Sequence, residues 1–105
     1  MAVLIENDEL VIRSWQLKAR EAGVNLQVFR DGKSLLHALP HLPKDVPFYF
    51  DSHLSNEEKG EELAQKIYQM GYTSICLVTG YPPDRFSHCH WIQAVLPKDP
   101  PWKTK

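Results

Sequence analysis

Val46-Pro47-Phe48-Tyr49-Phe50-Asp51 is the stretch whose reading decides the fold. Val46 to Phe50 is an apolar, largely aromatic run that stops on a carboxylate. It reads as a strand covered on both faces, with Asp51 emerging at its carboxyl end. On its N-terminal side, Pro43 and Pro47 bracket a loop. Before that loop, Asp31-Gly32 opens a short helix through Leu35, Leu36 and Leu39 that Pro40 ends. Leu26, Val28 and Phe29 form an earlier strand. Asp8 caps a helix carrying Val11, Trp15, Ala19 and Ala22 on one face, with Gly23 as its stop, and Val3-Leu4-Ile5 is the first buried strand. On the C-terminal side, Ser55-Asn56-Glu57-Glu58 has the pattern of a capping box. The helix behind it turns Leu63, Ala64, Ile67 and Met70 inward, and Gly71 closes it. Ile75 to Val78 is a fourth strand running into Thr79-Gly80.

Beyond Tyr81 the pattern weakens. Pro82-Pro83 enforces an extended loop, and Asp84 to His90 holds a turn or two of helix at most. Trp91 to Leu96 reads as a fifth strand. The proline-rich tail, residues 97–105, cannot continue as a helix through Pro97, Pro100 and Pro101. The order is β-α-β-α-β-α-β-(short α)-β, an alternation that implies a parallel sheet with crossover helices and no closing helix. The whole chain, 1–105, is expected to form a single domain.

Bulk properties narrow the function classes. The chain has 105 residues, 43% hydrophobic and 24% charged, with a net charge of -1. Its basic residues are scattered, without the basic stripe interleaved with aromatics that marks a nucleic-acid binder, so none is expected as a partner. No apolar run approaches the ~18 residues that span a bilayer, so no membrane insertion is expected. Met1 to Ile5 is too short for a signal-peptide core and is cut off by Glu6. Cys76 and Cys89 lack a pairing signature, which points to reduced thiols in the cytoplasm.

In an open parallel sheet, ligands bind beyond the carboxyl ends of the strands. The residues there are Asn7 and Asp8 after the first strand, Asp51 after the third, Thr79 after the fourth and Lys98 after the fifth. Two carboxylates attract a hard divalent cation such as Mg²⁺, which takes one or two carboxylates together with water and phosphate oxygens. With that charge neutralised, a carboxylate such as Asp51 can attack phosphorus. Lys98 then pairs with Asp51 or with the phosphoryl group, and Thr79 donates its hydroxyl to a phosphoryl oxygen.

Val3 to Glu9, Phe48 to Asp51, Leu77 to Gly80 and Val95 to Lys98 together resemble the four signature segments of response-regulator receiver domains. They occur in the family's order and cover essentially the whole chain. The resemblance implies a flavodoxin-like, doubly wound five-stranded parallel sheet in strand order 2-1-3-4-5, here with a short fourth helix and no fifth. It implies that Asp51 is the phosphoacceptor, charged by a histidine kinase or phosphotransfer protein, with Thr79 as the switch hydroxyl and Lys98 as the phosphate-binding lysine. Mg²⁺ would be held by Asp8, Asp51, the backbone carbonyl of His53 and, through water, Asn7. Catalysis would be limited to self-phosphorylation and dephosphorylation. His53 and Tyr81, two residues beyond Asp51 and Thr79, would slow the approach of water to the phosphoryl group.

The chain also departs from the family. Asn7 stands at a usually acidic position, Ser55 where a proline is common, and Val95 where many receivers carry a switch aromatic. Asp99 separates Lys98 from Pro100. The absent last helix leaves one flank of the sheet for Trp91, Ile92, Trp102 or a second subunit to cover, so a homodimer is one expectation. These departures support an alternative reading, a phosphorylation-independent pseudo-receiver acting as a protein-interaction module. A nucleotide-binding enzyme fits less well, because no glycine-rich loop follows the first strand. His88-Cys89-His90, with His37, His41 and His53, matches no zinc-ligand spacing.

Overall fold

Side chains alternate between the two faces of a strand, so strands covered on both faces are apolar at every position. The computed structural model describes residues 1–54 and 58–102. The strands β1 (Ala2–Ile5), β2 (Leu26–Phe29), β3 (Phe48–Asp51), β4 (Ile75–Val78) and β5 (Ala94–Leu96) form one sheet. Its order is β2-β1-β3-β4-β5 with every pairing parallel, the doubly wound flavodoxin-like arrangement expected from the sequence. Ile5 lies opposite Phe29 and Phe50, Asp51 opposite Val78, and Val78 opposite Leu96. The carboxyl ends of these strands therefore line up along one edge.

The helices are α1 (Glu9–Ala22), α2 (Gly32–Ala38) and α3 (Gly60–Gln69). Asp8 caps α1 by accepting a hydrogen bond from the Leu10 amide at 2.9 Å. Gly23 ends the helix at φ 73°, a left-handed conformation that glycine adopts without a Cβ clash. The helix buries Ile12, Trp15 and Ala19. On this face of the sheet Trp15 packs with Ala2, Leu4, Tyr49 and Val78. The opposite face carries the larger core, in which Val3, Ile5, Phe48, Phe50, Ile75 and Leu77 meet Leu35 of α2 and Leu63, Ala64 and Ile67 of α3.

Several boundaries differ from the sequence reading. β3 begins at Phe48, because Pro47 has no amide to give to a ladder. The helix expected behind Ser55-Glu58 begins instead at Gly60, with Lys59 as its N-cap. Ser55, Asn56 and Glu57 lie outside the described residues, and the Glu58 carboxylate accepts from the Gly32 amide at 3.0 Å, at the start of α2. The reason is a reversal after Asp51. The Leu54 amide donates to the Glu58 carbonyl, the Gly60 amide donates to the Ser52 carbonyl, and His53 bridges Lys59 in antiparallel fashion.

The fourth helix is reduced to a 3-10 turn at Pro83–Phe86, and β5 starts at Ala94 because Cys89 to Ile92 forms a turn. Trp91 and Ile92 do not cover the flank beside α1; they pack on the opposite face, where the Trp91 indole donates to the Glu61 carbonyl at 2.9 Å. Trp102 does cover it, with its ring centroid 5.3 Å from Trp15 and 6.1 Å from Tyr49. Among the described residues, no helix is long and apolar enough to cross a membrane.

Candidate functional site

β1 delivers Glu6 to the carboxyl edge of the sheet, and the Glu6 amide donates to the Phe29 carbonyl at 3.0 Å as the strand ends. The neighbouring strand, β3, delivers Asp51 to the same edge. Both carboxylates are buried, Glu6 completely. Pro97 turns the chain out of β5 and places Lys98 opposite them. The Lys98 ammonium donates to Asp51 Oδ1 at 2.7 Å and to Glu6 Oε2 at 3.0 Å. Glu6 Oε1 accepts from the amides of Asn7 and Asp8, each at 3.1 Å, and Asp51 Oδ1 also accepts from the His53 amide at 3.3 Å.

Two acids and one cation thus share a desolvated corner, and burial disfavours each charged form. Burial raises the Glu6 pKa, the adjacent Asp51 carboxylate raises it further, and the Asp8 amide and Lys98 offset only part of this. The result is a value moved from 4.5 to about 7. For Lys98, burial favours the neutral amine, but Asp51 and Glu6 outweigh it and hold the ammonium above its ordinary pKa.

Thr79 leaves the end of β4 and is buried. Its hydroxyl lies 2.8 Å from the Ser52 hydroxyl and accepts from the Tyr81 amide at 3.2 Å. The rings of His53 and Tyr81 stand 6.2 Å apart, and the Arg85 guanidinium lies 4.0 Å over the Tyr81 ring.

Except for Arg85, these groups open into one cavity of about 520 Å³. Every residue nominated from the sequence lines it: Asn7, Asp8, Asp51, His53, Thr79 and Lys98. Their roles in the structure are not uniform. Lys98 and Asp51 are in direct contact, whereas one oxygen of Asp8 is engaged in capping α1. The carboxylate that shares Lys98 with Asp51 is Glu6, which the sequence reading treated only as the end of an apolar run. Its signal was the one that exposed Asp51: a carboxylate directly following a buried strand. Nothing in the sequence singled out Ser52.

The donors around the cavity are oxygens: the carboxylates of Glu6, Asp8 and Asp51, the Asn7 amide and backbone carbonyls. This set suits a hard cation that retains part of its water shell, as Mg²⁺ does. Among the described residues, no three His, Cys, Asp or Glu side chains form a ready-made metal cage, and that includes the histidines near Cys89.

No family model and no curated protein sequence matches the chain. Solved structures do. The receiver domain of the Francisella response regulator 1452 superposes with a TM-score of 0.78 at 15% identity, over 92% of this chain and 82% of that one. The signal receiver domain of an HD-domain-containing protein from Pseudomonas fluorescens Pf-5 gives 0.77 at 22% identity, over 97% and 82%. That of a modulated diguanylate cyclase from Desulfovibrio desulfuricans G20 gives 0.76 at 18%, over 92% and 79%. The chain has the fold of response-regulator receiver domains.

Proposed function

We propose that this chain is a phosphoacceptor domain of a two-component relay, receiving a phosphoryl group on Asp51 from a histidine kinase or phosphotransfer protein. The observation that carries this reading is the pairing of the buried Asp51 carboxylate with Lys98 at 2.7 Å, in a cavity at the carboxyl edge of the sheet. An oxygen of Asp51 forms a bond to phosphorus as the phosphorus–nitrogen bond of a phosphohistidine breaks, its electron pair leaving on the imidazole nitrogen. Lys98 moves from the carboxylate to the new phosphoryl oxygens, and the Thr79 hydroxyl serves another of them. Bound Mg²⁺ supplies positive charge against the phosphoryl oxygens. Asp51, Glu6, Asp8, Asn7 through water and the His53 carbonyl are the groups available to hold it. Engagement of Thr79 and Lys98 shifts the loops behind them and biases a protein-interaction surface between two states. The unpaired thiols of Cys76 and Cys89 suit a cytoplasmic setting.

His53 and Tyr81 flank the cavity and narrow the path of water to the acyl phosphate. We expect a lifetime of minutes rather than seconds, shortened in Tyr81→Ala; an unchanged lifetime in that variant would remove Tyr81 from this role.

A second reading, a protein-interaction module that does not accept phosphoryl groups, is favoured by one observation: Glu6 already shares Lys98 and lowers the need for a ligand there. Beryllofluoride with Mg²⁺, a stable mimic of a phosphorylated carboxylate, separates the two. The phosphoacceptor reading expects the Thr79 amide resonance to shift in the wild type and not in Asp51→Asn. A folded wild type whose Thr79 resonance stays in place supports the module.

A further inference from the structure

We infer that Trp15 is a positioning residue for the site: its indole N–H fastens the Lys98 backbone so that the ammonium reaches Asp51 and Glu6. β5 ends at Leu96, whose carbonyl accepts from the Thr79 amide. Beyond that bond, sheet hydrogen bonding no longer fixes residues 97–99. Two contacts replace it, and both come from α1. Trp15 Nε1 donates to the Lys98 carbonyl at 3.1 Å, and the Lys18 ammonium meets Asp99 Oδ1 at 3.2 Å. Residues 15 and 18 are three apart and so share a helix face.

The two contacts are unequal. Lys18 and Asp99 are solvent-exposed, and such pairs hold geometry weakly. Trp15 is completely buried, wedged between Tyr49 and Trp102 at 5.3 Å from each. Its ring cannot turn away, and its single polar atom has Lys98 as partner. The carbonyl is held on the α1 side while the side chain extends to the carboxylates. The same helix is capped at its start by Asp8, next to Glu6. One rigid element therefore carries both the loop that presents Glu6 and the fastening that aims Lys98. Trp15 touches no ligand; it acts through Lys98.

The test removes the N–H by Trp15→Phe, which also trims the ring, and by replacing Trp15 with benzothienylalanine, in which sulfur stands for N–H and the bicyclic ring and its volume are retained. The first readout needs no ligand. The Lys98 side chain is 38% exposed, enough to be acetylated, and its two carboxylate partners should slow the reaction. Peptide-resolved acetylation should rise at Lys98 by about fivefold, the factor for one lost hydrogen bond, with Lys66 unchanged. Unchanged Lys98 labelling in either folded variant overturns the inference. The second readout rests on the phosphoacceptor reading: the affinity for beryllofluoride with Mg²⁺ in wild type, Trp15→Phe, Lys98→Met and the double variant. The Trp15 change should weaken binding by a similar factor when Lys98 is present and have no effect when it is absent. An equal loss in both backgrounds marks a merely structural role and contradicts the inference. If the wild type does not bind, the phosphoacceptor reading fails, and the labelling alone decides the role of Trp15.

Discussion

Ionising Glu6 places a fully buried carboxylate beside Asp51, with one ammonium shared between them. Its pKa is raised, so the folded state takes up a proton that the unfolded chain has released between pH 4.5 and about 7. The contribution of neutral Glu6 to stability is complete below the lower value and is lost as pH rises through the upper one. Glu6→Gln mimics the neutral acid and should be insensitive at this position. Relative to that variant, the wild type should lose on the order of 3 kcal/mol between pH 5 and pH 8. Urea unfolding at the two pH values measures this, and parallel profiles for the two proteins would disprove it. At this scale the sequence was informative where a carboxylate or hydroxyl follows a buried strand, which is how Asp51 and Thr79 were found. It was silent on Glu6 as partner because Asp8, two residues later, looked equally placed. The structure keeps Asp8 in the capping role already legible in the sequence and gives the contact with Lys98 to Glu6.

The segment from Asp51 to α3 shows how an element can mislead. Ser55-Asn56-Glu57-Glu58 carries the letters of a capping box, yet α3 starts at Gly60 and Glu58 serves α2. Capping preference is read from adjacent residues, whereas the reversal after Asp51 rests on pairings between residues four to eight apart and on the reach of the Glu58 carboxylate to the Gly32 amide. Gly60 makes that reversal feasible: a Cβ there would sit 1.7 Å from the Asp51 carbonyl oxygen, a backbone atom with little freedom to yield. Gly60→Ala should therefore cost about 3 kcal/mol and displace the Asp51 backbone. Gly23 provides the comparison. It has φ 73° but open space around it, so Gly23→Ala should cost only about 1 kcal/mol, from backbone strain. Denaturant midpoints rank the two, and equal losses would show that the close approach at Gly60 relaxes freely.

For the whole molecule, the alternation of apolar runs and amphipathic stretches was sufficient to give a parallel sheet, and the resemblance to receivers supplied the strand order. The cover of the α1 face was legible only as a choice among Trp91, Ile92, Trp102 and a second subunit, because a proline-rich tail has no periodicity from which to read a packing direction. In the structure Trp102 covers that face, set edge-on to Trp15 and Tyr49. Trp102→Ala should cost about 2 kcal/mol, less than a fully buried tryptophan, and should sharply raise binding of a hydrophobic dye. Unaltered stability and dye binding would mean that the tail contributes nothing to the core. The proposed phosphoryl acceptance belongs to the carboxyl edge of the sheet, where Glu6, Asp51, Thr79 and Lys98 open into one cavity. Its most direct test is the intact mass of the protein after incubation with acetyl phosphate and Mg²⁺. The wild type should gain one phosphoryl group and Asp51→Asn none. A folded wild type that gains no mass, or an Asp51→Asn variant labelled to the same extent, would contradict it.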